Sequence, residues 1–361
     1  MKVLRLLSVF LLSFLLAFCF PCTAHAQSFE EEIAEKSGAQ ELSDALDGET
    51  RGLVEEMEEG DLFSVLSSLL KDKLNAPFQT FALLAAVLIL CRLAACFGEG
   101  MVSSTAALAG SLVCAVAVVS PILSLMHAAA RTVESASVFL LAAAPVYGGL
   151  LIASGAPTAG STYSALTLLL GNAVPVLSTS LIFPALQIFL ALSVAASLSS
   201  MKLSALTDSL YSFLKWLLVL SVTLFSGALS VQTFLNAQVD AAASKAVKLM
   251  TSAAVPIVGG AIGDAAAAIY NSIGLVKSGA GAFGILALLC IFLPTVIEAV
   301  LWSCVCAAGQ LTADLLEAPK LSALLKLCGS VAKMILAVLA ATCAVSVVAA
   351  AIVLCVKGAG T

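Results

Sequence analysis

The sequence alternates long apolar stretches with short polar breaks over most of its length. A helix of about 20 apolar residues crosses the roughly 30 Å hydrocarbon core of a bilayer, and a helix satisfies its own backbone hydrogen bonds in lipid. The pattern therefore predicts an all-α fold, that of a polytopic helical membrane protein. The clear spans lie at about 78–97, 102–126, 182–199, 212–231, 283–308 and 331–356.

Composition agrees with this prediction. Hydrophobic residues make up 61% of the 361 residues and charged residues only 11%. The mean hydropathy is +1.10. Soluble domains are about 45–50% apolar and about 25% charged. The chain is therefore expected to have the lipid bilayer as its surroundings and no nucleic-acid partner.

The first residues have the pattern of a secretory signal. Lys2 and Arg5 precede an apolar run that ends at Phe20, and an A-x-A triplet ends at Ala26. Basic, apolar and small-residue regions in this order are typical of a cleaved signal peptide. We predict that residues 1–26 are removed and that the chain continues outside the cytosol. The alternative is an uncleaved membrane anchor.

The next segment, residues 27–77, differs sharply in charge from the rest. It contains 14 acidic and 4 basic residues, whereas the whole chain has a net charge of only −5. Apolar residues recur at helical spacing over 61–75, which predicts an amphipathic helix lying on the membrane or on a partner. We interpret 27–77 as an acidic external helical segment.

Two parts of the membrane region resemble each other. "AAAPVYGG" at 142–149 is matched by "SAAVPIVGG" at 252–260, and "KLSAL" at 202–206 recurs at 320–324. Similar motifs in the same order at a nearly constant offset favour a tandem duplication. The predicted domains are the signal peptide 1–26, the external segment 27–77, a first span 78–101, membrane repeats 102–210 and 211–328, and a closing span with tail 329–361.

Each repeat carries a segment that looks broken. Proline lacks an N–H, glycine permits a bend, and an aspartate can cap a new helix. The sequence thus predicts broken or re-entrant helices whose polar bends line a cavity; the alternative is a pair of amphipathic helices on the membrane surface. The candidate residues are Pro145, Gly148 and Gly149 in the first repeat, and Pro256, Gly259, Gly260 and Asp264 in the second.

Catalytic motifs give no support for an enzyme. Apart from His25 in the predicted signal, the one histidine is His127, which makes a Ser-His-Asp triad improbable. No P-loop occurs, and no G-x-G-x-x-G opens a βαβ unit. The nine cysteines outside the predicted signal peptide include no C-x-x-C pair and behave as small apolar residues. We predict no catalytic residue, no cofactor and no metal site.

Glu298 is the strongest candidate among the ionisable residues. It lies near the middle of the predicted span 283–308, where an isolated charge is costly. We expect its carboxyl group to be protonated, paired, or facing a wet cavity. Two roles stay open: a place on an ion or proton pathway, or a structural hydrogen bond to a neighbouring helix.

Several stretches resemble one protein family. "VPIVGGAIGDAAAAIYNSIGLVKSGAGAFG" at 255–284 is the most specific, followed by "LPTVIEAVL" at 293–301 and "KLSALLKLCGSVAKMILAVLAA" at 320–341. Together with the signal and the acidic segment, they are similar to stage III sporulation protein AE of endospore-forming bacteria. The similarity covers about 78–356.

This resemblance implies a location and partners. It implies the mother-cell membrane around the forespore, with the N-terminal segment external. The implied partners are other stage III A sporulation proteins, including a cytosolic ATPase and ring-forming subunits, and a forespore membrane protein. The implied function is a non-enzymatic membrane component of a trans-envelope channel or secretion-like complex. A secondary transporter or permease for a small solute is the alternative, suggested by the repeats.

Overall fold

The computed structural model describes residues 45–58, 62–97, 101–154, 156–198, 206–221, 223, 227 and 259–355. They all belong to one compact unit, Glu41–Thr361. All regular secondary structure in this described part is helical. The predicted signal peptide, residues 1–26, lies outside the described residues, as does Pro256.

Eight helices and one π-helical turn make up the described part. Five stretches are long and apolar enough to cross a membrane: Ser67–Leu93, Leu112–Ala153, Ser178–Ala196, Gly279–Leu315 and Leu321–Ala351. The prediction of an all-α polytopic membrane protein is confirmed; the tandem repeat stays a prediction. The elements are α1 Gly48–Glu58, α2 Leu62–Phe97, α3 Met101–Ala153, α4 Pro157–Leu177, the π-helical turn Ser178–Ile182, α5 Phe183–Leu198, α6 206–221, α7 Gly259–Leu315 and α8 Pro319–Cys355.

The first predicted break does not fall at Pro145, Gly148 or Gly149; α3 ends a few residues later at Ala153, and α4 begins at Pro157. Helix α3 continues through Pro121 and Pro145 for 53 residues, about 80 Å at roughly 1.5 Å per residue. It ends only at Ala153. A proline removes one backbone hydrogen bond, and packing on neighbouring helices holds the helix together across that loss.

The second predicted break also differs from the structure where residues are described. Gly259 and Gly260 form the first turn of α7, which continues through Asp264 to Leu315 without interruption over 57 residues. Residues 262–277, which follow the predicted bend, and the span predicted at 283–308 are thus one helix. A re-entrant segment before Gly259 stays a prediction, because it lies outside the described residues.

Two helix boundaries differ from the predicted ones as well. Helix α2 runs through Pro77, so the external segment and the first span share one helix instead of meeting at a break. The second KLSAL motif forms the first turns of α8, where Leu321 and Ser322 are buried. Helix α8 therefore begins well before the predicted span at 331–356.

Ion pairs fix the register of α2 against α7. Lys73 lies near Glu298, and Arg92 pairs with Glu317. Both pairs join residues 225 apart in the chain. The two helices are therefore parallel and keep the same register over 19 residues, or about 28 Å.

Helix α3 runs antiparallel to α7. The hydroxyl oxygens of Thr132 and Thr295 lie 2.7 Å apart, and Tyr147 Oη donates to the carbonyl oxygen of Ala280 at 3.0 Å. Between these two contacts α3 advances by fifteen residues while α7 goes back by fifteen, so the two helices are antiparallel with one constant register. This register brings residue 129 of α3 level with Glu298.

Helix α8 returns along α7 from a short turn. A Cβ atom at Gly309 would contact Leu325 at 3.3 Å, and one at Gly329 would contact Cys306 Cβ at 3.2 Å. Small residues at these crossings let the two backbones approach closely. On this register, Lys333 lies level with residue 302 of α7, close to the depth of Glu298.

Helix α4, the π-helical turn and α5 form one rod that folds back along α3. Ser164 Oγ donates to the carbonyl oxygen of Ala144 at 3.1 Å. Continued along the rod, this register brings the turn Ser178–Ile182 level with residues 126–130 of α3. Pro184 follows directly, in the first turn of α5.

The turn between α7 and α8 has an unusual residue at its left-handed position. Glu317 has φ 50°; its N–H donates to the Asp314 carbonyl, and the N–H of Ala318 donates to the Ala313 carbonyl. This is the Schellman pattern, which commonly has glycine at the left-handed position. Here the side chain of Glu317 instead pairs with Arg92 at 2.7 Å.

Replacing Glu317 with glycine is expected to leave stability unchanged or slightly raised. The left-handed backbone costs an L-residue roughly 1–2 kcal/mol, whereas an exposed ion pair contributes about 0–1 kcal/mol. Glu317→Val should lower the thermal midpoint, because a branched side chain suits this backbone worst. Thermal unfolding of the purified protein in detergent checks both; a clear loss for Glu317→Gly would mean that the ion pair matters more than the backbone strain.

Candidate functional site

The predicted candidate Glu298 has an ion-pair partner. Its carboxylate lies 3.9 Å from Lys73 Nζ on α2, with the two side chains 23% and 33% exposed. Glu298 is near the middle of the candidate span Gly279–Leu315. An ionisable residue at this depth usually pairs with another or faces water. Glu298 pairs with Lys73, and its side chain stays partly exposed on the surface of the bundle.

A buried hydroxyl pair lies one turn from this ion pair. Thr132 donates to the carbonyl oxygen of Ala128 at 3.0 Å. Its oxygen also lies 2.7 Å from that of Thr295. Because the Thr132 proton is used, Thr295 is the donor between the two hydroxyls. This contact joins α3 to α7 at the depth of Glu298.

Eight ionisable side chains lie within one layer of the bundle. On the registers above, all are level with residues 293–302 of α7, a layer of about 13 Å at roughly 1.5 Å per residue. We call this set the ionisable belt: Lys71, Asp72, Lys73, His127, Arg131, Glu134, Glu298 and Lys333.

Apolar segments surround the belt on both sides. No Asp, Glu, Lys, Arg or His occurs in 74–91, 101–126, 135–153 or 279–297. Apart from Lys73 and Glu298, every belt residue is exposed on the surface of the bundle. The chain thus presents charges of both signs between two apolar layers, near the middle of the candidate spans of α3, α7 and α8 and near the start of that of α2.

Prolines and the π-helical turn also cluster near this depth. Pro77, Pro121 and Pro294 interrupt the hydrogen bonding of α2, α3 and α7, and the π-helical turn followed by Pro184 does the same in the α4–α5 rod. All five features fall within about 18 Å of depth on the registers above. Each proline frees a backbone carbonyl, which adds polar acceptors beside the belt.

Two cavities adjoin this region. One, of about 310 Å³, has Arg131 and Glu134 in its wall together with Asp47 at the start of α1. Ser135 Oγ donates to the Asp47 carboxylate at 3.5 Å across it. The other, lined by apolar side chains and the hydroxyl groups of Ser137, Thr167, Thr342 and Ser346, has a volume of about 10 Å³, enough for about one water molecule. The belt therefore opens outward, while the helix interior beside it is packed.

The predicted glycine pair on α3 has two different environments. A Cβ atom on Gly148 would collide with Ser164 Oγ and lie 3.1 Å from the Gly160 carbonyl, whereas one on Gly149 would meet nothing within 4 Å. Pro145 is exposed one turn earlier. Gly148 thus serves the close crossing of α3 and α4, and Gly149 lies on the open side.

Gly148→Ala is expected to destabilise the protein, while the neighbouring Gly149→Ala should have little effect. The new methyl group at 148 displaces Ser164 from its hydrogen bond to Ala144, and overpacking of this kind costs about 1–3 kcal/mol. The measurement is the thermal midpoint of each variant in detergent. Equal midpoints would contradict the assignment of the helix crossing to Gly148.

Several residues at the site were missed by sequence reasoning. Lys73 had been placed in the acidic external segment 27–77, outside the predicted spans. Thr132 and Thr295 gave no signal beyond a hydroxyl group in an apolar stretch. The predicted Gly259, Gly260 and Asp264 lie in the first two turns of α7.

Comparisons with known proteins bear on this site. A family model described as stage III sporulation protein AE (spore_III_AE) matches residues 41–360. The protein named stage III sporulation protein AE from Bacillus subtilis (strain 168) is 25% identical over 164 residues, which cover 45% of this chain and 41% of the relative. The alignment thus spans less than half of that relative. No solved structure matches the chain.

Proposed function

Because the chain belongs to the stage III sporulation protein AE family, we propose that it is a non-enzymatic subunit of a trans-envelope complex linking mother cell and forespore. Five helices apolar enough to cross a membrane support an integral membrane component. In this proposal the protein lies in the mother-cell membrane around the forespore, with its N-terminal segment external. Its partners are other stage III A proteins, including a cytosolic ATPase and ring-forming subunits, and a forespore membrane protein.

The ionisable belt is the observation that supports a conduit. Charged side chains exposed at mid-span are unfavourable in lipid and are usually found at water-filled pathways or protein contacts. Six of the eight belt residues are exposed on the single chain, so water or other subunits must cover them in the assembly. A channel built from several subunits provides both a water-filled pathway and contacts with neighbouring subunits.

The proposal is tested in sporulating cells of the host. Deletion of the coding sequence should arrest late forespore gene expression, and a tagged copy should restore it. Crosslinking before capture of the tagged copy should retrieve other stage III A proteins by mass spectrometry, with an unrelated polytopic protein carrying the same tag as the control. Normal late gene expression in the deletion strain would contradict the proposal.

A secondary transporter is the second candidate, and the Lys73–Glu298 pair favours it because ion-coupled carriers use such mid-membrane groups. Purified protein in liposomes separates the two functions. Under the proposed function, the protein alone moves no solute against a gradient. Coupled uptake of a small solute by the protein without partners would favour the transporter function over the channel-subunit function.

A further inference from the structure

Two surfaces of the bundle carry polar side chains at the depth of the belt. On α2, Ser68, Asp72, Asn75 and Gln79 are all exposed. Their spacing of three or four residues puts them on one helix face. We call this the α2 polar face. It contrasts with the exposed Phe78, Leu83 and Ile89 elsewhere on the same helix.

The second surface is on α8. Lys326 and Lys333 are exposed seven residues apart, and Ser330 between them is partly exposed. We call these three residues the α8 polar face. The exposed or partly exposed neighbours Ala323 and Ala337 are small, which lets another helix approach closely. Neither Lys333 nor Asp72 has an ion-pair partner among the described residues.

The two polar faces match in depth. The α2–α7 and α7–α8 registers bring Asn75 within about 3 Å of the depth of Lys333, and Asp72 within about 8 Å. By the same registers, Gln79 and Ser330 lie at nearly the same depth. A lysine side chain is long enough to cover the remaining distance to Asp72.

The two faces lie on helices that do not pack substantially on each other. Helix α2 packs on α1, α3 and α7, whereas α8 packs on α3, α5 and α7. The α2 face of one molecule can therefore meet the α8 face of a second molecule, but not its own.

From this complementarity, we propose that copies of this chain associate side by side in the membrane, with Lys333 of one copy paired with Asp72 of the next. Such a contact uses a different surface on each partner and repeats around an axis, so that it generates a ring or an open array. It removes two unpaired charges from lipid at once. The association is independent of the proposed role in a trans-envelope complex.

Charge reversal tests the contact on the purified full-length chain in lipid nanodiscs and detergent. Lys333→Asp and Asp72→Lys should each weaken self-association about tenfold, because each puts like charges together. The double variant should restore it. Lys326→Asp is the matched control, since Lys326 lies about 17 Å from the depth of Asp72 and should change association little. Light scattering reads out the mass.

Crosslinking gives a second measurement that does not depend on the charges. In a version whose native cysteines are replaced, Gln79→Cys with Ser330→Cys should form a ladder of dimers, trimers and larger species on oxidation. Either substitution alone should give no ladder. A wild-type chain that stays monomeric at all concentrations would overturn the proposal, as would a double-cysteine variant that stops at dimers or charge reversals without effect.

Discussion

Glu298→Lys is expected to abolish function in sporulating cells. The substitution would put two ammonium groups together where the structure has an ion pair at 3.9 Å. An uncompensated charge near the centre of a span costs roughly 2.5–3.5 kcal/mol, a large part of the stability of a typical domain. Late forespore gene expression should fall to the level of the deletion strain, with immunoblots recording how much protein remains.

Two further variants separate charge from hydrogen bonding at this position. Glu298→Gln should largely keep function, because the amide oxygen can accept a hydrogen bond from Lys73 and the partly exposed Lys73 ammonium can also reach water. The exchange Lys73→Glu with Glu298→Lys restores opposite charges and should recover function that either single reversal loses. If Glu298→Gln were as defective as Glu298→Lys at normal protein levels, ionisation itself would be required, as on an ion or proton pathway.

Gly284→Ala is expected to be among the most damaging single changes in the described part of the chain. A Cβ atom there would overlap the hydroxyl group of Tyr147 and lie 2.9 Å from its Cζ atom. Tyr147 is fully buried and its hydroxyl group is held by the Ala280 carbonyl, so the ring has little room to move. Overpacking of this severity costs about 3 kcal/mol, which should appear as a lower thermal midpoint and aggregation in detergent.

The neighbouring Gly279 provides the control, since a Cβ atom there would meet nothing within 4 Å. Gly279→Ala should leave the thermal midpoint unchanged. Tyr147→Phe removes the colliding oxygen at the loss of one hydrogen bond, about 1 kcal/mol. The double variant Gly284→Ala with Tyr147→Phe should therefore be more stable than Gly284→Ala alone; if it were not, the collision would lie with another atom.

The polar contacts between helices explain how this chain selects one arrangement of its apolar helices. Lipid removes most of the hydrophobic preference for one helix neighbour over another. Specific pairs such as Thr132–Thr295 and Lys73–Glu298 then help to decide which surfaces meet. Their concentration at one depth also concentrates the groups available for function.

Family membership was readable from local motifs. The run at 255–284 and the later "LPTVIEAVL" carried the resemblance, and the family match over 41–360 agrees with it. Such motifs can be recognised in the sequence without knowing the tertiary contacts. Partners and cargo cannot be predicted in this way, because they depend on surfaces formed by several helices together.

The sequence by itself determined the helical class and the membrane setting. It also determined that the charge of Glu298 must be neutralised, paired or hydrated. Each follows from hydropathy over a window of neighbouring residues, which is a local property. Only the tertiary structure decided that the partner is Lys73, that α3 continues through Pro145, and that Gly148 is packed while Gly149 is open. These outcomes depend on side chains that are far away in the chain or on another helix. A proline or a glycine has the same local chemistry in every sequence, whereas its effect on a helix depends on the atoms packed against it.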